Sequence, residues 1–109
     1  MINVINKWLS HEEIAQFISS LDVLVCAYRD GTQSGVVSAA YALGVPVIVS
    51  DSGGLPEQAG YGEYACVVKA GCSNSLLEGL SRVLNSPQTR MSLAETAKKY
   101  ADQYLLWKA

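Results

Sequence analysis

The sequence lacks the features that place a protein in a membrane or on a nucleic acid. No apolar run approaches the roughly 20 residues of a membrane-spanning helix. The opening residues, MINVINKWLS, lack the basic region and long apolar core of a signal peptide. Charged residues make up 17% of the chain and the net charge is −2, so neither nucleic acid nor an anionic membrane is indicated as a partner. The 109 residues contain no internal repeat, low-complexity segment or linker, and we expect a single domain over residues 1–109.

Cysteine is also scarce. The three residues Cys26, Cys66 and Cys72 are an odd number without the spacing of a metal site. Because Cys26 and Cys66 lie in apolar runs, we expect buried, reduced thiols rather than redox or metal-binding groups. The sequence therefore predicts no metal site, no cofactor and a cytoplasmic location.

Half of the residues are hydrophobic, which is enough for a globular core. The clearest pattern runs from Asp22 to Glu57. An apolar run at 23–28 predicts a strand buried on both faces, and apolar residues at helical spacing predict a helix at 36–43. Gly44 follows where a helix end favours a left-handed residue, and a second buried strand is predicted at 45–49.

Two polar, glycine-containing loops follow these two strands, at residues 29–35 and 51–57. In a βαβ unit both loops lie at the carboxyl ends of the strands. Open α/β sheets bind their ligands at that edge.

The remaining segments extend the same alternation of strands and helices. Before Asp22 we predict a short strand within Met1–Leu9 and a helix that begins with a Ser10–Glu13 capping box and continues to Leu21. After Glu57 we predict a strand at 65–68 and a helix from about Ser75 with a Ser75–Glu78 capping box. The last helix runs from about Gln88 to Leu105, with Pro87 in its first turn. The predicted fold is α/β, a three-layer sandwich around a Rossmann-like, mainly parallel sheet.

The first loop has the ingredients of an anion site. A helix beginning near Ser34 presents the positive end of its dipole, and Gly31 and Gly35 allow a ligand to approach the backbone. Thr32, Gln33 and Ser34 add side-chain donors. The loop has neither the lysine of a P-loop nor a GxGxxG pattern, so an ordinary capped βα turn stays open as the alternative.

Three motifs in order give the chain a specific resemblance. Asp30-Gly31 is followed by ALGVP at 42–46 and by DSGGLPE at 51–57, while TQSGVV stands at 32–37. This pattern resembles the donor-binding core of the family-4 retaining glycosyltransferases, which have the GT-B fold. The flanking segments resemble that family's C-terminal domain over nearly the whole chain. The resemblance implies a transferase that takes a sugar from a nucleotide-diphosphate sugar.

The resemblance also implies a set of site residues. Asp30 stands where the family's first glutamate touches the transferred sugar, which makes it the candidate sugar contact. The donor and its diphosphate would be held by Asp30, Gly31, Thr32, Gln33, Ser34, Gly35, Val36 and Val37. The nucleotide side would be formed by Ser38, Gly53, Gly54 and Glu57. No catalytic residue beyond the Asp30 candidate is implied.

Two residue types depart from the family's pattern. A second glutamate, eight positions after the first, usually binds the ribose hydroxyls. Counting from Asp30 gives Ser38, and counting back from the ALGVP segment gives Ala39. Neither is acidic, so we expect weaker donor binding, by about ten- to a hundredfold. The first acid is Asp rather than Glu, about one methylene shorter.

The length of the chain is the larger departure. Members of the family have two Rossmann-like domains, with the acceptor site on the N-terminal one, and an Arg/Lys pair that neutralises the leaving diphosphate. This chain resembles the latter part of the donor domain, so we expect the isolated chain to bind donor weakly and to transfer no sugar. The parent enzyme would be cytoplasmic or peripheral at the inner membrane surface.

The missing part of the domain predicts a bare sheet edge. In the family's sheet, two further strands separate the counterparts of the Met1–Leu9 strand and the strand at 23–28. We expect either the Met1–Leu9 strand or a second copy of the chain, in a homodimer, to pair with that edge.

Two alternatives remain at the level of the sequence. One is a fragment of a nucleotide-sugar epimerase of the GT-B fold. The other is a non-catalytic α/β module that binds phosphate or a nucleotide, which the absent second acid would suit. An upstream Rossmann-like domain with an Arg/Lys pair would favour the transferase.

Overall fold

A computed structural model describes residues 11–26 and 35–105 of the chain. Helices and strands alternate along these ranges. In chain order the elements are α1 (His11–Ser19), β1 (Leu24–Cys26), α2 (Gly35–Leu43), β2 (Val47–Ser50), α3 (Leu55–Gln58), a 3-10 turn (Gly60–Gly62), β3 (Cys66–Val68), α4 (Ser73–Leu84), α5 (Pro87–Tyr100) and a π-helical turn (Ala101–Leu105).

The three described strands form one parallel sheet in the order β1-β2-β3. Leu24 lies opposite Val47 at the first pairing, and Ile48 lies opposite Cys66 at the second. The predicted α/β fold with a parallel sheet is therefore confirmed. The strand expected within Met1–Leu9 and the Ser10 cap lie outside the described residues.

Strand β2 is buried on both faces because helices cover both sides of the sheet. Val47 and Val49 face a core cluster that α1, α2 and α5 share. Ile48 faces a second cluster with Val83 of α4. This alternation explains why the strand contains only apolar residues until Ser50, and it gives the predicted three layers.

Helix α5 joins the two layers. Leu93 near its middle packs against the cluster on the α4 side, whereas Ala97 and the following Ala101 lie in the cluster on the α2 side. The Lys98 side chain passes close to Gly44, which ends α2 with φ +74°, as the sequence predicts. Helix α5 therefore crosses near the amino ends of the strands, and the loops that follow the strands lie at the opposite, carboxyl edge.

Three local predictions need correction. Helix α4 begins at Ser73, and the Ser75 hydroxyl accepts the N–H of Lys69 at 2.8 Å, so the Ser75–Glu78 capping box is wrong. Helix α3 begins within residues 51–57, which were expected to be a loop, and a 3-10 turn follows it. Strand β2 begins at Val47, two residues later than expected. The carbonyl of the preceding Pro46 accepts the N–H of Leu24 in β1.

The burial of Cys26 and Cys66 and the position of Pro87 agree with the sequence predictions. Cys26 and Cys66 are buried free thiols, and Arg82 donates to the Cys66 sulfur at 2.8 Å. Pro87 occupies the first turn of α5, and the Ser86 hydroxyl accepts the N–H of Thr89 as the N-cap. The last helix starts as expected, but its final turn, Ala101–Leu105, is π-helical.

Helix α4 lies so close to β3 that Gly79 has no room for a side chain. A Cβ at Gly79 would stand 2.6 Å from Cγ1 of Val68, a buried and β-branched side chain that has little freedom to move. We predict that Gly79→Ala lowers the free energy of unfolding, because overpacking costs about 1–3 kcal/mol and outweighs the gain of about 1 kcal/mol in helix propensity.

Urea unfolding of Gly79→Ala and of the control Ser81→Ala, an exposed position in the same helix, would measure this effect. The control should be neutral or slightly stabilising. A Gly79→Ala protein as stable as the wild type would show that α4 can move away from the sheet at no cost.

Candidate functional site

The start of α2 lies at the carboxyl edge of the sheet. The helix begins at Gly35 and ends at Leu43, just before β2, so it runs antiparallel to that strand and its N-terminus lies towards the strand's carboxyl end. Its first turn contains no acidic residue that would oppose a bound anion. The positive end of the helix dipole therefore faces the edge at which α/β proteins bind ligands.

The loop after β2 contributes the second part of this edge. Asp51 donates its N–H to the carbonyl of Val68 at 2.9 Å, and its Oδ1 accepts the N–H of Ala70 at 2.7 Å. These bonds fasten the loop to the end of β3. Gly53 then takes a left-handed φ of +52°, a conformation that favours glycine, and Gly54 is the N-cap residue of α3.

A buried glutamine connects the two parts. Gln58, at the end of α3, is 8% exposed and donates from Nε2 to the Ser38 hydroxyl at 2.9 Å. Its main-chain carbonyl accepts the Tyr41 hydroxyl at 3.0 Å. Ser38 and Tyr41 are three residues apart on one face of α2. Gln58 therefore joins α2 to α3, whose N-cap residue is Gly54.

Three tyrosine rings pack against one another beside the Tyr41–Gln58 hydrogen bond. The Tyr41 ring is fully buried and meets the rings of Tyr64 and Tyr100 edge-on, with centroids 6.1 and 6.3 Å away. The rings of Tyr64 and Tyr100 stack on each other at 4.4 Å. Burial raises the pKa of the Tyr41 phenol well above its usual value, so the hydroxyl stays protonated and can donate to Gln58.

This raised pKa predicts a loss of stability at alkaline pH. The unfolded chain releases the Tyr41 proton near pH 10, whereas the folded chain keeps it. The contribution of Tyr41 to the free energy of unfolding is therefore fully present below pH 10 and is lost as the pH rises above it. Tyr41→Phe removes this pH-dependent contribution to stability together with the hydrogen bond to Gln58. We expect the variant to be about 1 kcal/mol less stable at pH 7, and the difference to vanish near pH 11.

Urea unfolding of both proteins at pH 7, 9, 10 and 11 measures that difference, and the tyrosines common to both proteins cancel. A gap that stays constant or widens above pH 10 would contradict burial of the Tyr41 phenol.

The structure describes part of the predicted site. Asp30, Gly31, Thr32, Gln33 and Ser34 lie outside the described residues. Gly35, Val36 and Val37 form the start of α2, where the Val37 side chain is fully buried. Ser38 is joined through Gln58 to α3, whose N-terminus follows Gly53 and Gly54, and Glu57 is exposed in the single turn of α3.

The two positions at which a second acid was considered have different surroundings. Ser38 is half-buried and bonded to Gln58, whereas Ala39 packs against the core cluster on the α2 side. Sequence reasoning missed Gln58 altogether and gave Asp51 no role. Asp51 carries a local signal, an acid directly after a buried strand, but no local pattern marks the pairing of Gln58 with a residue 20 positions away.

The described part of the chain contains neither a cluster of metal ligands nor a membrane-spanning helix. Within residues 11–26 and 35–105, no group of three or more His, Cys, Asp or Glu side chains is placed to hold a metal ion. In the same ranges, no helix has the length and apolar character needed to cross a membrane.

Comparison with known families gives one match over most of the chain. Residues 4–100 match the model of the glycosyl transferases group 1 family. The chain is also 31% identical over 103 residues to an MMP alpha-(1→4)-mannosyltransferase of Mycolicibacterium hassiacum, an alignment that covers 93% of this chain and 25% of the mannosyltransferase.

Solved structures share the fold. The C-terminal domain of LpcC, a glycosyl transferase group 1 family protein of Francisella tularensis, matches with a TM-score of 0.82 at 20% identity, over 95% of this chain and 53% of that one. Anabaena HepE, solved in complex with UDP-glucose, matches with a TM-score of 0.78 at 22% identity, over 84% of this chain and 25% of HepE.

The chain therefore belongs to the glycosyl transferases group 1 family, and its parallel α/β sheet is that of a GT-B glycosyltransferase domain. It spans about a quarter of the length of the mannosyltransferase that it matches.

Proposed function

We propose that the chain is the C-terminal, donor-binding part of a family-4 retaining glycosyltransferase, which transfers a sugar from a nucleotide-diphosphate sugar to an acceptor. The diphosphate would lie at the start of α2, against the backbone of Thr32–Val37. Asp30 would contact the transferred sugar. Ser38, Gly53, Gly54 and Glu57 would form the nucleotide side.

The observation that carries this proposal is the junction of α2 with the loop after β2. The Gln58–Ser38 bond of 2.9 Å joins α2 to α3, the helix that follows the Gly53–Gly54 turn. A helix N-terminus with no acidic residue in its first turn suits a diphosphate. The relatives agree with such a donor, since HepE was solved with UDP-glucose and the bacterial relative is named a mannosyltransferase.

The missing second acid suggests weak binding. Losing one charged hydrogen bond costs roughly 1.5–3 kcal/mol, about ten- to a hundredfold in affinity. The acceptor site would lie in the part of the relatives that this chain does not match. We therefore expect the 109-residue chain to bind nucleotide without transferring sugar, in a cytoplasmic parent enzyme.

A charge introduced at the helix start tests the diphosphate site. Isothermal titration of the chain with UDP and GDP should give measurable affinity for at least one of them. Ser34→Glu should weaken that affinity at least tenfold, because a carboxylate at the start of α2 repels the diphosphate and occupies its donors.

Gln88→Glu is the matched control, since it adds the same charge to the first turn of α5. It should leave nucleotide affinity unchanged, because α5 crosses at the opposite edge of the sheet. Equal affinities for Ser34→Glu and wild type would place the diphosphate elsewhere, and appreciable sugar transfer by the wild-type chain would overturn the expected inactivity.

A non-catalytic nucleotide-binding module is the second candidate function. The apolar and hydroxyl side chains at Ala39 and Ser38, in place of an acid, favour it. The two candidates differ in their selectivity for the sugar. A donor site prefers one sugar over other sugars that are attached to the same nucleotide, and Asp30→Asn reduces that preference. A plain nucleotide module binds all such sugars alike.

We also propose that the outer edge of β1 is covered by a further strand. Among the described residues β1 pairs with β2 alone, and a bare parallel-sheet edge is an association hazard. The Met1–Leu9 segment of the same chain, or β1 of a second copy in a homodimer, would cover it.

Light scattering and hydrogen exchange separate these two options. A homodimer predicts a mass that doubles with concentration, and Val25→Pro should prevent the doubling, because the Leu24 amide faces β2 and the next amide therefore faces outward. Pairing within one chain predicts a monomer whose residues 1–9 are protected from exchange. A concentrated monomer with unprotected residues 1–9 would contradict both.

A further inference from the structure

The Gln58 side chain is a buried polar group without an obvious structural need. An apolar residue at this place would avoid the cost of removing an amide from water, which buried polar groups recover only through hydrogen bonds. Gln58 is 8% exposed, and its amide meets that condition by donating to Ser38. An amide differs from an apolar side chain in that its hydrogen bond fixes the relative position of the two bonded groups.

Two bonds from one residue fix the position of α2. The Gln58 side chain holds Ser38, and the Gln58 carbonyl holds the Tyr41 hydroxyl almost one helical turn further along. Two anchor points on one helix restrict both its sliding and its rotation relative to α3. The first anchor lies only three residues after Gly35, where α2 begins.

The other end of α3 leads directly into the Gly53–Gly54 turn. The loop before that turn is itself fixed, since Asp51 is bonded to both Val68 and Ala70 of the β3 segment. Gln58 is therefore the connection between a fixed loop and the start of α2, which are the two parts of the proposed donor site.

We propose that Gln58 is a positioning residue that aligns the diphosphate part of the site on α2 with the nucleotide part at Gly53–Gly54. This inference rests on the proposed donor site and adds a residue outside it. Loss of the Gln58–Ser38 bond shifts α2 relative to the loop. A ligand that spans both parts then binds more weakly, whereas a ligand that contacts only the start of α2 is little affected.

The test compares two probes on the same proteins. UDP spans both parts of the site, and inorganic pyrophosphate contacts only the helix start. Gln58→Met keeps the volume and removes the amide, and it should lower UDP affinity about three- to tenfold, the effect of one neutral hydrogen bond, while pyrophosphate affinity stays within twofold of wild type.

Ser38→Ala removes the same bond from its other end with the loss of a single oxygen, which keeps the test usable if Gln58→Met folds poorly. The double variant should be no weaker for UDP than Ser38→Ala alone, because Gln58→Met acts through the bond that Ser38→Ala has already removed. Ser86→Ala is the stability control, since it removes the N-cap of α5. It should leave the ratio of UDP to pyrophosphate affinity unchanged.

The outcomes separate this inference from the proposed function. A wild-type chain that binds neither probe refutes the donor site and the inference with it. A wild-type chain that binds both, with a ratio that Gln58→Met leaves unchanged, refutes the positioning role alone. A loss of UDP affinity for Ser38→Ala that Gln58→Met does not share would keep Ser38 on the nucleotide side of the site and overturn the role of Gln58.

Discussion

Strand β2 is buried on both faces and has a parallel strand on each side. This arrangement requires helices above and below the sheet, and parallel connections require each helix to return the chain to the amino edge. Because all three strands run in the same direction, the loops that follow them lie together at the carboxyl edge, while α5 crosses near the amino ends. The position of the candidate site is therefore a consequence of how the middle strand is buried.

Sequence patterns predicted the elements whose signals are local. The alanine-rich run that ends at Gly44 gave α2, and the apolar run before Ser50 gave β2, since helix and strand periodicities are visible within ten residues. Helix α3 was missed because a single turn after two glycines has too few residues for any period. The Ser75 prediction failed for a related reason: the hydroxyl was free to accept the Lys69 amide instead of capping its own helix.

The candidate site, like the fold, could be predicted from the sequence only where its signals are local. The glycine and acid residues of the two loops could be recognised from their order along the chain. The Gln58–Ser38 and Asp51–Ala70 bonds could not, because they join residues about 20 positions apart that share no repeating pattern. Of the two positions at which a second acid was considered, Ser38 has a hydroxyl that is bonded to a buried amide and Ala39 has no polar group.

The central claim is that a nucleoside diphosphate binds where the start of α2 meets the Gly53–Gly54 turn. Titrating the 15N-labelled chain with UDP and following its glycine amides tests this claim most directly. The account predicts shifts at Gly35, Gly53 and Gly54, and none at Gly44 near the amino edge. Shifts that are confined to Gly44 and the α5 region, or no shifts at saturating UDP, would contradict it.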